Sequence, residues 1–401
     1  MELSEDYRDF VDKNFTFCSC PKQVSSRKGV ARAGITNCKL GRERIGNKMR
    51  WRGWTVAVGM IAWLSMVCGG QTAKGVGGKL EVYFVDVEGG QATLFVTPAK
   101  QSLLIDTGWS DNEGRDADRI AAVVKEAGLK KIDYVLITHF HEDHVGGVTQ
   151  LLERVPVGAF IDHGVNREEE PGTERGYAAY EKSIAANKVK RILARPGDVL
   201  PIVGMKAVVV SADGNLIQKP LEGEGAANPF CKGTETKPAD TTENARSVGV
   251  QITFGKLRLL DLGDLTWDKE MELVCPVNKL GRMDVYIVSH HGWDHSSSPA
   301  MVNAIGARVA IMDNGAKKGG STSVLDTVAK SPGLETMWQL HFSEEGGHEH
   351  NASEEYIANI DGAEDGKLLE LTSTGDGSFD MLNSRTKETK HYPAAASSTA
   401  H

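Results

Sequence analysis

A short run of metal-ligand residues constrains the fold of this chain more than any other feature. In residues 138–147, THFHEDHVGG, three histidines and an aspartate fall within six positions, directly after an apolar run. Neutral imidazoles and carboxylates are ligands of zinc, manganese and iron. A single turn cannot direct four such side chains to one ion without strain. We therefore expect two ions, with His139 and His141 on one and Asp143 and His144 on the other.

Two later stretches offer the remaining ligands. Residues 259–267, LLDLGDLTW, place Asp264 after an apolar strand, and residues 285–295, VYIVSHHGWDH, place His290 and His291 at the end of another. Alone, a Gly-Asp turn or a histidine would indicate little. Three strand ends rich in ligand residues in one α/β chain predict a shared metal site.

Alternating apolar runs and helical periodicities predict an α/β fold from about residue 79 onward. Residues 115–127, RDADRIAAVVKEA, are a clear amphipathic helix, and the last predicted strand is 337–341. Residues 213–242 are rich in Gly, Pro and Glu without periodicity, which predicts an inserted loop that covers the pocket. Two α/β halves beside this insertion predict a four-layer αββα sandwich over 79–386. We expect a flexible tail over 387–401.

The first 78 residues differ from the rest of the chain. Residues 1–48 are polar and basic and precede a natural start at Met49, so they are expected to be disordered or a mis-called extension. Residues 49–78 contain a basic start, the apolar run Trp54–Cys68 and a small-residue exit, which is typical of a signal peptide and short linker. This pattern predicts a secreted or periplasmic protein with no stable membrane span after cleavage. The alternative is an uncleaved N-terminal membrane anchor.

The charge distribution bears on the binding partners. Residues 1–78 carry 13 Lys/Arg and 6 Asp/Glu, whereas the remaining 323 residues carry 33 and 48. An acidic body argues against long nucleic acid as a partner. The Gly-rich residues 314–320, NGAKKGG, lack the Lys-Ser/Thr pair that opens the helix of a phosphate-binding loop. Nothing in the sequence indicates an oligomeric state.

Two cysteines, Cys231 and Cys275, lie in the predicted domain, and the other four lie within the first 68 residues. An even pair in an exported protein is a candidate disulfide. The alternative is two buried, unpaired thiols, and the sequence leaves both open.

The motifs His-x-His-x-Asp-His, Gly-Asp and Ser-His-His-Gly, in this order, resemble those of the metallo-β-lactamase-fold hydrolases. Residues 84–93, FVDVEGGQAT, and 103–109, LLIDTGW, are similar to the opening strands of one branch of that family. This branch is related to the hydrolase domain of bacterial DNA-uptake competence proteins. The resemblance covers about residues 80–345 and implies two divalent ions, zinc first, with manganese or iron as alternatives.

The resemblance also implies roles for individual residues. Six of them match metal ligands: His139 and His141 for the first ion, Asp143, His144 and His290 for the second, and Asp264 as the bridging carboxylate. Asp106 matches an aspartate that braces a ligand histidine. We choose His290 over His291 because His290 directly ends the strand, which leaves His291 to contact substrate or donate a proton.

One position departs from the family pattern. Many members supply a third histidine to the first ion from the loop that corresponds to residues 242–250, TENARSVGV, which here has Asn244 and Ser247 instead. The competence-related branch has a similar Asn/Ser motif. His163, at another strand end, could fill the gap as a ligand, face the substrate or be structural.

These expectations combine into an exported, metal-dependent hydrolase. A metal-bridged hydroxide, held by Asp143 and Asp264, would attack a phosphorus or carbonyl centre, and His291 or a water would protonate the leaving group. The expected substrate is a small phosphodiester or another ester. The alternatives are a lactone or thioester hydrolase of the same fold and a catalytically inactive metal-binding module.

Overall fold

The computed structural model describes residues 78–110, 112–360 and 366–395. The predicted extension 1–48 and, apart from Gly78, the predicted signal peptide 49–78 lie outside these residues, as does the end of the predicted tail, 396–401. Within the described ranges no helix combines the length and apolarity needed to cross a bilayer.

Two mixed sheets form the centre of the described part of the chain. The first contains β1 (Leu80–Phe84), β2 (Thr93–Val96), β3 (Ser102–Ile105), β4 (Ile132–Leu136), β5 (Val157–Asp162), β6 (Lys190–Leu193), β15 (Leu369–Ser373), β16 (Phe379–Asn383) and β17 (Thr389–Tyr392). The second contains β7 (Lys206–Ala212), β8 (Asn215–Leu216), β9 (Gly249–Phe254), β10 (Leu257–Asp261), β11 (Val285–Ile287), β12 (Val309–Met312), β13 (Thr336–His341) and β14 (Ile357–Asn359). The strand orders are β17-β16-β15-β1-β2-β3-β4-β5-β6 and β14-β13-β12-β11-β10-β9-β7-β8.

The helices lie between the strands in sequence. They are α1 (Arg115–Glu126), α2 (Glu142–Val145), α3 (Val148–Arg154), α4 (Pro171–Ala186), α5 (Trp267–Val274), α6 (Pro299–Ile305), α7 (Thr322–Ala329) and α8 (Gly347–His350). Pro171 and Pro299 each stand at the first helical position, where a missing N–H removes no intrahelical bond.

Apolar residues fall into three layers, because alternate side chains of a strand point to opposite faces of its sheet. Val82 on the first sheet and Ile252 on the second belong to the cluster between the sheets. Leu104 faces the other way and joins Ile120 of α1 in a second cluster. The outer face of the second sheet, with Leu260, packs in the same manner against α5, α6 and α7. The predicted αββα sandwich is therefore confirmed.

Strand direction brings the polar strand ends together. Strands β3 to β6 run parallel to one another in the first sheet, and β10 to β14 do so in the second. The carboxyl ends of parallel strands lie at one edge of their sheet, where α/β proteins bind ligands. The chemically active residues that follow these ends are Asp106, His139, His163, Asp264, His290, His291 and Asp313.

The C-terminal boundary predicted from sequence is wrong. Strands β15, β16 and β17 form a meander that pairs with β1, and Thr389–Tyr392 pairs with Phe379–Asn383. Buried Tyr392 stacks on Phe379 with ring centroids 4.8 Å apart. The folded domain thus extends past residue 386 through at least Tyr392, because this last strand supplies an aromatic side chain to the core.

The insertion at 213–242 is tied to the second half of the domain. A disulfide joins Cys231 to Cys275 with a Cα–Cα distance of 5.7 Å, which decides between the two alternatives that the sequence left open. The indole Nε1 of Trp267 donates to the Glu235 carbonyl at 3.0 Å, and the Lys237 amine contacts the Asp294 carbonyl. The insertion therefore lies beside the loop that follows His290 and His291.

Removal of this crosslink should destabilise the protein. The disulfide closes a loop of 44 residues, and a crosslink of that span contributes up to about 4 kcal/mol by restricting the unfolded chain. We expect Cys231→Ser/Cys275→Ser to lower the free energy of unfolding by about 2–4 kcal/mol in urea titrations. Reductant should lower the stability of the native protein and leave the double variant unchanged. Two free thiols in the denatured, non-reduced native protein would contradict the disulfide.

Candidate metal centre

The centre is built on the turn between β4 and α2. Buried His139 follows the strand, and α2 begins directly after His141, so that Asp143 and His144 lie in its first turn. The chain then turns back against the end of β3, where a Cβ on Gly147 would lie 2.1 Å from the Thr107 carbonyl oxygen. Only glycine allows this close approach.

Four buried side chains form the tightest group of this centre: Asp143, His144, Asp264 and His291. The Nε2 atom of His144 lies 3.3 Å from an oxygen of each aspartate and 3.2 Å from Nε2 of His291. Nε2 of His291 lies 3.2 Å from Asp143 Oδ2 and 3.5 Å from Asp264 Oδ1. Ligands on a tetrahedral zinc ion, with bonds of about 2.0–2.1 Å, are separated by about 3.3 Å. The spacing of these four donors therefore fits a metal ion.

A second set of nitrogens lies around the same Asp264 oxygen, Oδ2, that His144 approaches. Nε2 of His139 is 3.0 Å from Nδ1 of His141 and 3.8 Å from Asp264 Oδ2. The opposite nitrogen of His141, Nε2, lies 2.9 Å from Glu168 Oε2, which leaves Nδ1 directed toward His139. His290 Nε2 approaches the same Asp264 oxygen at 3.3 Å. His139 and His290 thus lie near Asp264 outside the tightest group of four, and His141 contacts His139.

Asp264 is common to both sets. Its Oδ2 atom lies within 3.8 Å of His139, His144 and His290, and its Oδ1 atom faces His291. Oδ1 is buried without a hydrogen-bond partner. A buried acceptor of this kind normally carries a free-energy penalty, whereas a bridging carboxylate would use both oxygens as ligands. The orphaned oxygen therefore fits the predicted bridging role.

The structure places the adjacent histidines His290 and His291 differently from the sequence-based prediction. His291, rather than His290, lies with Asp143 and His144, and His290 lies on the side of Asn244, whose Nδ2 is 3.5 Å from His290 Nε2. Both histidines have left-handed backbone angles, with φ of 57° and 54°. The strand therefore ends in a tight turn, which directs His291 rather than His290 toward Asp143. If Nε2 of His291 binds an ion together with Asp143 and His144, this nitrogen cannot also donate a proton.

Carboxylates hold the outer nitrogens of the ligand histidines. Asp106 Oδ2 lies 2.7 Å from His144 Nδ1, and Asp106 itself accepts from the backbone N–H and the hydroxyl of Thr138 at 2.8 and 2.7 Å. The contact of Asp106 fixes the ring orientation of His144 and its tautomer. Asp313 Oδ1 lies 3.5 Å from His291 Nδ1, and neither atom has a hydrogen-bond partner.

His163 contacts a different partner. Its Nε2 atom lies 2.9 Å from Glu243 Oε2, and its ring packs on Phe140 with centroids 4.6 Å apart. The other oxygen of Glu243 accepts from the backbone N–H of Arg167 at 2.9 Å. His163 thus has a buried carboxylate partner on Nε2, its Nδ1 has no hydrogen-bond partner, and it lies outside the group of four that fits a metal ion.

The histidines of the centre fall into two groups according to the direction in which their pKa is shifted. Burial lowers the pKa of His139 well below 6.5, aided by the charges of His144 and His141, and burial lowers the pKa of His290 to about 4. Burial also opposes the charged form of His144, but Asp264, Asp143 and Asp106 outweigh it and raise the pKa of His144 well above 6.5. His139 and His290 are therefore neutral at pH 7, as metal binding requires, whereas His144 must release a proton.

The structure adds residues that the sequence did not single out. The most notable is Lys318, whose amine contacts Asp143 Oδ2 and donates to the Gly89 carbonyl at 2.7 Å. Glu168 and Asp313 contact the ligand histidines from loops with no recognisable motif. Asp313 follows β12 directly, so the rule that polar residues at parallel strand ends converge could have identified it.

The fold and this centre define an αββα protein with a candidate metal site, and one comparison matches part of the chain to a known family. Residues 85–229, which include the first histidine cluster, match the family model described as Metallo-beta-lactamase superfamily. This part of the chain is therefore similar to that superfamily.

Several solved structures are similar at low sequence identity. The metallo-beta-lactamase fold protein YhfI from Bacillus subtilis is 13% identical over 65% of this chain and 95% of its own, with a TM-score of 0.39. A metallo-beta-lactamase from Cronobacter sakazakii is 15% identical over 52% and 74%, with a TM-score of 0.32. CmlA, a diiron beta-hydroxylase from Streptomyces venezuelae, is 12% identical over 58% and 44%, with a TM-score of 0.33. No curated protein matches the sequence. Likenesses at this level carry no information on substrate.

The contact between Asp106 and His144 should support metal affinity. We expect Asp106→Asn to weaken divalent-ion binding about 10- to 100-fold, because the amide no longer fixes the His144 ring through a charged acceptor. Competition with a chromogenic chelator measures the change. Asp118→Asn is the matched control, since Asp118 is exposed on α1 and pairs with Arg154. Equal affinities of Asp106→Asn and native protein would contradict this role.

Proposed function

We propose that the protein is a hydrolase that holds two divalent metal ions, one on each side of Asp264. The observation that carries the proposal is the position of this buried carboxylate, which histidines approach on both of its oxygens. Such an arrangement supports a bridging carboxylate between two ions. Each ion would then have nitrogen and oxygen donors of the types that zinc, manganese and iron accept.

The proposed ligand sets follow the geometry. The first ion would be held by His139, His141, His290 and Asp264, and the second by Asp143, His144, His291 and Asp264. His290 would thus occupy the role of the third histidine that the loop 242–250 lacks. We propose zinc as the ion, with manganese or iron as alternatives, because the donors are imidazoles and carboxylates alone.

The chemistry follows from these sets. Bound ions would supply a nucleophilic hydroxide near neutral pH and polarise an oxygen of the substrate. Asp143 and Asp264 orient the attacking group, since their carboxylates face the centre of the site. Asp106 keeps the ring of His144 in place, and Asp313 lies beside the ring of His291. The proton for the leaving group is proposed to come from solvent, because Nε2 of His291 would be occupied by the ion.

We propose a small phosphodiester or another ester as the substrate class. The resemblance of residues 84–93 and 103–109 to the competence-related branch supports phosphodiesters. A lactone or thioester hydrolase remains the alternative. The acidic character of the domain opposes a long polyanion such as DNA.

We further propose that the protein is exported through the signal sequence at residues 49–78. The Cys231–Cys275 disulfide supports this localisation, because disulfides persist in oxidising compartments such as the periplasm and the extracellular space. Fractionation of cells that express the full chain tests the proposal. Recovery of the intact, uncleaved protein in the cytoplasmic fraction would contradict it.

Substitution of the adjacent histidines should remove different ions. We expect His291→Ala to lose the ion of the Asp143 and His144 side, and His290→Ala to lose the other, so each variant should retain about one ion per chain. Metal analysis gives the count, and cobalt spectra should differ between the two variants because the remaining ligands differ. His295→Ala is the matched control, since the His295 side chain is 60% exposed in the same loop. Two ions retained in His290→Ala would contradict its ligand role.

Activity should depend on the metal ions and on Asp264. We expect hydrolysis in a panel of chromogenic phosphodiesters, lactones and thioesters with added zinc or manganese, and loss of about 10²-fold or more in kcat for Asp264→Ala. A chelator should abolish activity, and added metal should restore it. Assays without dioxygen separate hydrolysis from oxygenation. Full activity of Asp264→Ala, or a dioxygen requirement, would overturn the proposal.

A further inference from the structure

Lys318 is a cation inside the candidate metal centre that the proposed chemistry does not use. It lies in the loop between β12 and α7, and its side chain is 26% exposed. Its amine contacts Asp143 Oδ2, donates to the Gly89 carbonyl at 2.7 Å and lies 5.1 Å from the centroid of the half-buried Trp109 ring. The ammonium group therefore sits at the rim of the site, within reach of solvent.

The loop that carries Lys318 is fixed in this position. The backbone N–H groups of Gly320 and Ser321 donate to the carbonyls of His291 and Gly292, each at 2.9 Å. A Cβ on Gly319 would lie 2.1 Å from the His291 carbonyl oxygen, so this glycine is required for the loop to pack on the histidine turn. Lys318 is thus held against the site by the same turn that presents His291.

The positive charge of Lys318 beside the proposed metal ions indicates the kind of substrate that the site could bind. Asp143 is a proposed metal ligand, and once an ion takes up its negative charge the adjacent ammonium is no longer neutralised by it. A lysine beside metal ions adds repulsion between like charges, which an anion bound between them would relieve. Such a lysine would stabilise a bound substrate that carries a negative charge close to the bond that is cleaved.

We propose that Lys318 binds an anionic oxygen of the substrate beside the metal ions, so that the site selects a phosphodiester over a neutral ester or lactone. This inference rests on the proposed function and narrows its substrate class. The non-bridging oxygens of a phosphodiester carry the negative charge that the ammonium group would contact. Trp109 flanks the amine and would provide an apolar wall for the organic part of the ester.

The chain offers a closely matched control for this proposal. Lys317 precedes Lys318 and has the same charge, but its side chain is 81% exposed, and its amine lies 3.8 Å from Glu344. Lys318→Met and Lys317→Met change the net charge equally. Lys318→Gln is a second variant, because an amide can still donate to the Gly89 carbonyl while it lacks the charge. Thermal melts establish that each variant is folded.

The first experiment measures calorimetric binding of inorganic phosphate to the metal-loaded full chain. We expect Lys318→Met and Lys318→Gln to bind phosphate about 10- to 100-fold more weakly than native protein, since a charge-assisted hydrogen bond is lost. Lys317→Met should bind as native protein does, and the number of bound ions should be the same in all. The proposal would be overturned by unchanged affinity in both Lys318 variants or by an equal loss in Lys317→Met. It would also be overturned if native protein did not bind phosphate or if the Lys318 variants lost metal ions.

The second experiment compares substrates with the same leaving group. The ratio of kcat/KM for bis(4-nitrophenyl) phosphate to that for 4-nitrophenyl acetate should fall about tenfold or more in the Lys318 variants. An unchanged ratio in these variants would contradict selection by Lys318. If native protein hydrolyses neither compound, the proposed function fails, whereas phosphate binding still tests the role of Lys318.

Discussion

The structure depends on the burial of the Asp264 carboxylate at the junction of the two sheets. Its side chain is nearly inaccessible, and although burial opposes its charge, the neighbouring histidines hold its pKa well below the usual value. A buried charge without compensation costs several kcal/mol. Histidines from the segment after β4, from α2 and from the turn after β11 therefore surround it, and protons or metal ions on these histidines would compensate its charge. This requirement links the arrangement of the strands to the chemistry of the site.

Much of the fold and most of the ligands could be predicted from the sequence, because they depend on local patterns. Apolar alternation identified the central strands, and residues that end parallel strands must meet at one edge. The choice between His290 and His291 could not be predicted, since it depends on a turn in which both residues have left-handed backbone angles. No neighbouring residue in the sequence reveals that geometry.

Other features were missed because they arise from contacts between distant segments. Lys318 lies in a glycine-rich stretch that lacks a recognisable motif, and its contact with Asp143 spans 175 residues. The contact of His163 with Glu243 spans 80 residues, so the sequence left the role of His163 open. Strands β15 to β17 carry only a short alternating pattern and follow the region that the family resemblance covers. In each case the deciding partner is remote in sequence.

The position of β1 has a consequence for the order of folding. This strand lies between β2 and β15, and Leu80 stands opposite Ser373. One edge of β1 therefore remains open until residues 369–373 have been synthesised, and the closing contact carries the entropy cost of a very long loop. An intermediate that lacks this contact would present unpaired backbone groups along an apolar strand. The first sheet therefore cannot be completed in a nascent chain before residues 369–373 have been made.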